Sequence, residues 1–301
     1  MNRENIDWHG PMVAVITPFD SNGNIEENEF KNNIQRMFDN RATGIIVGGC
    51  TGEFWALSNE ERCRLFQLGV NAAEGRGTVI VGTGAVTVEE TIALTLEAER
   101  AGADGALILP PYFVRLAEDQ IFHHFEKVSA STQMPIMLYN IPGNAVNAIT
   151  PTLAARLATL NQVVAIKESS GDWNNFYATL IAVKDDIRVF CGPASLYGAP
   201  AISSGADGTI DCFPNVWAPG GMDLYYSVIE GRTGESQDLQ VIGQKLTDLF
   251  TSGGRTLYPA TKAAMDCMGF YGGPPRSPLM SLNETALEGL ESGLKILQVM
   301  K

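Results

Sequence analysis

Short apolar runs, often β-branched, alternate with longer stretches of helical periodicity from the start of the chain to about residue 212. The strand candidates are Met12–Thr17, Gly44–Gly48, Thr78–Gly82, Gly105–Leu109, Pro135–Tyr139, Val163–Lys167, Ile187–Phe190 and Gly208–Asp211. Segments such as GALIL and PIMLY are apolar throughout, which suits strands covered on both faces. Between them lie helical patterns such as Ser58–Ala72 and Thr87–Ala101, each opened by a capping-box signature, Ser58 with Glu61 and Thr87 with Glu90.

This order predicts an α/β chain of (β/α)8 (TIM) barrel architecture. A doubly wound open sheet commonly carries a Gly-rich fingerprint after its first strand. Here that strand runs into Thr17-Pro18-Phe19, and Gly82–Thr87 has only the first two glycines of GxGxxG. After residue 212 the pattern is helical: Val216–Ile229, Gln237–Phe250, Thr256–Met268 and Thr285–Met300. The expected organisation is a barrel over 1–230 and a helical extension over 231–301 packed on it, the segment from Gly269 to Pro278 being a rigid connection.

A formal net charge of -13 argues against nucleic acid and against an anionic membrane surface. A small anion remains a possible ligand where a few local donors outweigh the distant field. No stretch approaches a membrane span, and the N-terminal apolar run is too short for a signal sequence, so a cytoplasmic protein is expected. Five scattered cysteines without a CxxC pair read as reduced thiols. The three histidines show no HxH or HExxH spacing, which disfavours a His-based metal site, and the pair His123-His124 reads as a helix surface.

Barrels of this kind carry their active sites at the carboxyl ends of the strands. Lys167 ends the apolar run Val163–Ile166. Desolvation there disfavours the ammonium and frees an amine that attacks carbonyls; the alternative is a lysine paired with Glu168 or reaching to solvent. The turn Gly48-Gly49-Cys50-Thr51-Gly52 lacks the spacing of a nucleotide loop. It suits a carboxylate held by backbone N–H groups and the Thr51 hydroxyl, or a tight turn that needs glycine for its backbone alone. Tyr139 is either a core aromatic or, one strand before Lys167, a phenol that passes protons to the same substrate.

With these residues in hand, the chain resembles the dihydrodipicolinate synthase / N-acetylneuraminate lyase family of Schiff-base aldolases. The resemblance runs in order through Ala14–Phe19, Gly49–Glu53, Leu138–Gly143, Ile166–Asp172 and Gly208–Ile210. It implies a (β/α)8 barrel with a C-terminal helical extension, usually a homotetramer, acting on pyruvate or a related 2-oxo acid without metal or organic cofactor. Lys167 matches the Schiff-base lysine and Tyr139 the proton-shuttling tyrosine. Thr51, with Cys50 and Gly49, matches the carboxylate-binding turn, while Gly192 and Ile210 fall where the family lines its pocket.

Four positions depart from the family pattern. Cys50 stands where Thr or Ser is usual, and Phe113 aligns with a second tyrosine of a hydroxyl relay, leaving Tyr112 as a displaced substitute. Asn144 stands where the synthases carry an arginine for the second substrate's carboxylate. Loss of a bidentate Arg–carboxylate pair costs about 2–5 kcal/mol of binding. Asp211, after Ile210, either accepts hydrogen bonds from substrate hydroxyls or caps a helix. These departures favour aldol chemistry on a 2-keto-3-deoxy sugar acid or hydroxy-oxo acid. The alternatives are the synthase proper, a sugar-acid dehydratase, a non-catalytic keto-acid-binding barrel, or a phosphate-binding isomerase using Gly192-Pro193-Ala194. Arg276, in Gly-Pro-Pro-Arg-Ser-Pro, has no placement that sequence can fix.

Overall fold

The structure, a computed structural model, describes residues 1–300. Its eight strands are β1 (Gly10–Ala14), β2 (Gly44–Val47), β3 (Thr78–Gly82), β4 (Gly105–Ile108), β5 (Ile136–Asn140), β6 (Val163–Glu168), β7 (Arg188–Cys191) and β8 (Gly208–Asp211). All neighbours pair in parallel and β8 returns to β1, with Met12 beside Ile210, so the sheet closes. The helices alternating with them are α1 (Glu27–Asp39), α2 (Asn59–Ala73), α3 (Val88–Ala101), α4 (Glu118–Ser131), the short α5 (Pro142–Ala145), α6 (Pro151–Leu157), α7 (Trp173–Val183), α8 (Ala194–Ser203) and α9 (Ala218–Ile229). Three more follow: α10 (Thr233–Thr251), α11 (Leu257–Cys267) and α12 (Glu284–Ile296). The chain is thus a (β/α)8 barrel with a C-terminal helical extension. Among the described residues no helix is long and apolar enough to cross a membrane.

Strand alternation sorts the side chains into two cores. Met12, Ile46, Ile80, Leu107, Met137, Ala165, Phe190 and Ile210 fill the barrel interior. Their neighbours, among them Val13, Ile45, Val79, Ile136, Ile166 and Val189, face the helices. A third cluster, built on Ile16, Phe250, Ala264 and Leu290, fixes the extension to the barrel. Gly208 is required by close approach: a Cβ there would lie 2.2 Å from the carbonyl oxygen of Gly10.

The helix signals act unequally. Ser58 caps α2 and Glu61 returns a bond to the Ser58 N–H, a complete capping box. At α3 only half forms: Thr87 accepts from the Glu90 N–H, but the Glu90 carboxylate accepts instead from Asn59. The expected surface pair of histidines is also corrected. His123 is exposed beside Glu126, whereas His124 turns inward and burial lowers its pKa to about 4. The first strand begins and ends earlier than the apolar run, because the Ile16 N–H leaves the sheet for the Asn215 side chain.

Candidate active site

The period of two that places Met137 and Ala165 inside the barrel carries Tyr139 and Lys167 into its mouth. The two residues are register partners on adjacent strands, and the Lys167 Nζ lies 4.3 Å from the centre of the Tyr139 ring. Glu168, one residue on, faces the other way, where its Oε1 accepts from Asn140, Asn175 and the Ser170 N–H. Pairing of Lys167 with Glu168 is therefore ruled out, and Lys167 makes no ion pair among the described residues. Burial pulls its pKa below the ordinary lysine value, opposed by Cys50, Asp211 and Cys212. The same burial holds the Tyr139 phenol far above its usual range. The pair thus sets an amine that loses its proton more readily than an ordinary lysine beside a protonated phenol.

Both line a cavity of about 260 Å³ at the carboxyl ends of the strands. Cys50, Thr51, Gly192, Ile210 and Asp211 line it as well. Thr51 is buried, and neither its N–H nor that of Cys50 is taken by another described group. The turn closes instead through Gly52 N–H to Gly49 O and Glu53 N–H to Cys50 O. An anion entering there meets free donors at no cost in broken bonds. Gly192 keeps the lysine unobstructed: a Cβ would sit 3.0 Å from Lys167 Cε and 2.5 Å from Ser169 Oγ.

Three expected positions behave otherwise. Gly49 does not line the cavity but a small adjoining void. Tyr112 is half-buried outside it, its ring edge-on to Phe54 at 6.0 Å, and does not line the cavity of its own chain. Phe113 is 86% exposed. Asp211 reaches the cavity, but its carboxylate is committed: Oδ2 accepts from the Ser195 N–H of α8, and Oδ1 from Cys212 and Phe213. It is a helix cap. Arg276 lies away from the cavity, paired with Glu61 and donating to Gly23 and Ala56 carbonyls, while its N–H reaches Glu53. Its role is to tie the loop after α11 to the barrel.

The extension supplies what strand-end reading could not, because Leu257 and Tyr258 of α11 lean over the same cavity. The side away from the turn is lined by Gly143, Asn144, Ser169 and Ser170. Lys167 is the sole basic side chain along the whole lining.

Residues 7–297 match the family model described as the dihydrodipicolinate synthetase family. The 4-hydroxy-tetrahydrodipicolinate synthase of Bacillus velezensis is 32% identical over 93% of this chain and 96% of its own. A DapA-like lyase of Rhizobium meliloti described as uncharacterized is 31% identical over 98% of this chain and 97% of its own. The crystal structure of a dihydrodipicolinate synthase from Bacillus anthracis superposes with a TM-score of 0.91 at 30% identity, covering 96% of this chain and 98% of that one. The chain belongs to the dihydrodipicolinate synthetase family, a family of lyases.

Proposed function

We propose that the protein is a Schiff-base lyase acting on pyruvate or a related 2-oxo acid, and that it makes or breaks the C3–C4 bond of a 2-keto-3-deoxy sugar acid or hydroxy-oxo acid. The observation that carries this reading is Lys167, a buried amine that makes no ion pair among the described residues and is the only basic side chain lining the cavity. Thr51 and the N–H groups of Cys50 and Thr51 hold the substrate carboxylate. The Lys167 lone pair attacks C2, and the carbinolamine hydroxyl takes the Tyr139 proton and leaves as water, giving a protonated imine beside the phenoxide. That imine draws in the electrons of the breaking C3–C4 bond as the C4 hydroxyl gives its proton to Tyr139 and departs as an aldehyde. Protonation of the enamine at C3 and hydrolysis return pyruvate and the free amine. The cycle needs no cofactor beyond the substrate's own carbonyl.

A neutral distal half supports a neutral, hydroxylated second partner. Asn144 stands where an acidic partner would need an arginine, and the Ser169 and Ser170 hydroxyls offer donors and acceptors to a polyol. The synthase reaction on pyruvate and aspartate semialdehyde is the second reading, favoured by the similarity to relatives such as the 4-hydroxy-tetrahydrodipicolinate synthase of Bacillus velezensis. Elimination of a hydroxyl from a deoxy-keto acid is a third outcome of the same imine. A tetramer of identical chains, placed in the cytoplasm, belongs to the proposal; one similar structure, 28% identical with a TM-score of 0.91, is described as a monomeric dihydrodipicolinate synthase variant.

Borohydride reduction in the presence of pyruvate, read by peptide mass spectrometry, tests the first half: an adduct on Lys167 is expected, and none across a panel of 2-oxo acids overturns the reading. A coupled assay tests the second half. Turnover of about 10 per second or more with aspartate semialdehyde assigns the synthase reaction instead.

A further inference from the structure

Tyr139 is 4% exposed and Cys50 7%, so the phenol that the lyase reading asks to move protons is nearly sealed from bulk solvent. One chain of titratable groups leads outward from it. Cys50 packs in one cluster with Tyr139 and Tyr258, and all three line the cavity. Tyr258, the second residue of α11, lines the same cavity but is only partly buried, with its ring against the exposed Trp55 at 5.2 Å. Its hydroxyl donates to no backbone carbonyl or carboxylate among the described residues. Burial raises the pKa of all three groups, so each is protonated at neutral pH and can take a proton only while giving one up.

The placement is held from beneath. Four residues along α11 from Tyr258, Lys262 forms a buried ion pair of 2.5 Å with Glu53, the residue that ends the Cys50–Thr51 turn. One turn of helix thus connects the clamp to the phenol. Tyr258 therefore cannot shift relative to Cys50 without breaking a buried pair. Phe113, with no proton to offer and its ring in solvent, takes no part.

We propose that Tyr258, Cys50 and Tyr139 form a proton relay within one chain, Tyr258 being its solvent-side member. The proposal rests on the lyase reading above. When Tyr139 gives its proton to the substrate, the thiol reprotonates it, Tyr258 reprotonates the thiol, and solvent reprotonates Tyr258. One proton crosses and no group keeps a charge. In the reverse direction the same hops carry the C3 proton of the pyruvate imine out to solvent.

That reverse direction gives a test that needs no second substrate: exchange of the pyruvate methyl protons into D2O, followed by NMR. Tyr258→Phe and Cys50→Ala are each expected to slow exchange about tenfold or more. The double variant should be no slower than the slower single one, since both break one path. Cys50→Ser, which keeps a hydrogen-bonding proton, should exchange faster than Cys50→Ala. Borohydride labelling of Lys167 by pyruvate should still go to completion in Tyr258→Phe. Exchange at the parent rate in Tyr258→Phe overturns the relay, as do effects that multiply in the double variant. Parallel loss of labelling and exchange also overturns it, by assigning Tyr258 to binding or folding. A parent protein that takes no pyruvate label fails the lyase reading itself, and the relay with it.

Discussion

Two lysines are buried among the described residues, and each holds its amino group over an aromatic ring. Lys167 lies 4.3 Å from the centre of Tyr139 in the barrel mouth, and Lys262 4.2 Å from that of Phe19 beneath the turn. Burial lowers the pKa of both. Lys262, however, meets the Glu53 carboxylate at 2.5 Å and donates to the Pro274 carbonyl, so its charge is answered on two sides. Lys167 opens on a cavity whose one carboxylate, Asp211, is already engaged by the N–H groups of Ser195, Cys212 and Phe213. Burial alone does not mark an amine as reactive; burial without an ion pair, facing a space a substrate can enter, is the pattern on which the proposal rests.

Exchanging each lysine for a neutral residue should separate the two most sharply. Lys167→Ala is expected to abolish borohydride labelling and to cost about a thousandfold or more in turnover. Its melting temperature should hold or rise, since the removed amine satisfied no partner. Lys262→Met should do the opposite. Leaving Glu53 buried without its cation costs about 3–5 kcal/mol in denaturant unfolding, and adding Glu53→Gln should recover much of it. Equal losses of stability in the two lysine variants would erase the distinction.

His124 sharpens the comparison from a third side. It is a buried base with an unpartnered Nε2, yet it lines none of the cavity. Its pKa falls from 6.5 to about 4 on folding, so the unfolded chain binds the extra proton between those values and stability declines as pH drops through that window. At about 1.4 kcal/mol per pH unit the loss approaches 3 kcal/mol near pH 4, and His124→Gln should flatten it in pH-dependent unfolding. For Lys167 the consequence is kinetic: the rate of pyruvate labelling should rise with pH and level off below the ordinary lysine value of 10.5. The smallest effect is expected at the carboxylate end, where Thr51→Val should raise the KM for pyruvate by about 1 kcal/mol while leaving the maximal rate of label formation nearly intact.

The eight strands were legible to within about two residues at most ends, because strands covered on both faces must be apolar throughout. Lys167 and Tyr139 were legible as strand-end residues, since the period of two that fills the barrel also aims them inward. Asp211 was not, because whether a carboxylate faces a ligand or caps a helix depends on α8 arriving beside it. Tyr112 misled by its closeness in sequence to Phe113; the turn between them, with Phe113 at φ 76°, sends the two rings in different directions. Tyr258 left no strand-end signal at all. It reaches the site from a helix beyond the last strand, and only the paired charges of Glu53 and Lys262 hint that the two stretches meet.

That meeting has a consequence for how the protein is made. The Glu53 carboxylate waits for Lys262 and for the N–H of Arg276, 223 residues further along the chain. At a synthesis rate of about 5–20 residues per second, the interval is roughly 10 to 45 s. During it the strands can emerge in order while the turn proposed to hold the carboxylate keeps its acid in water. The proposed catalytic pocket of a nascent chain is therefore assembled late, once Lys262 and Arg276 have emerged.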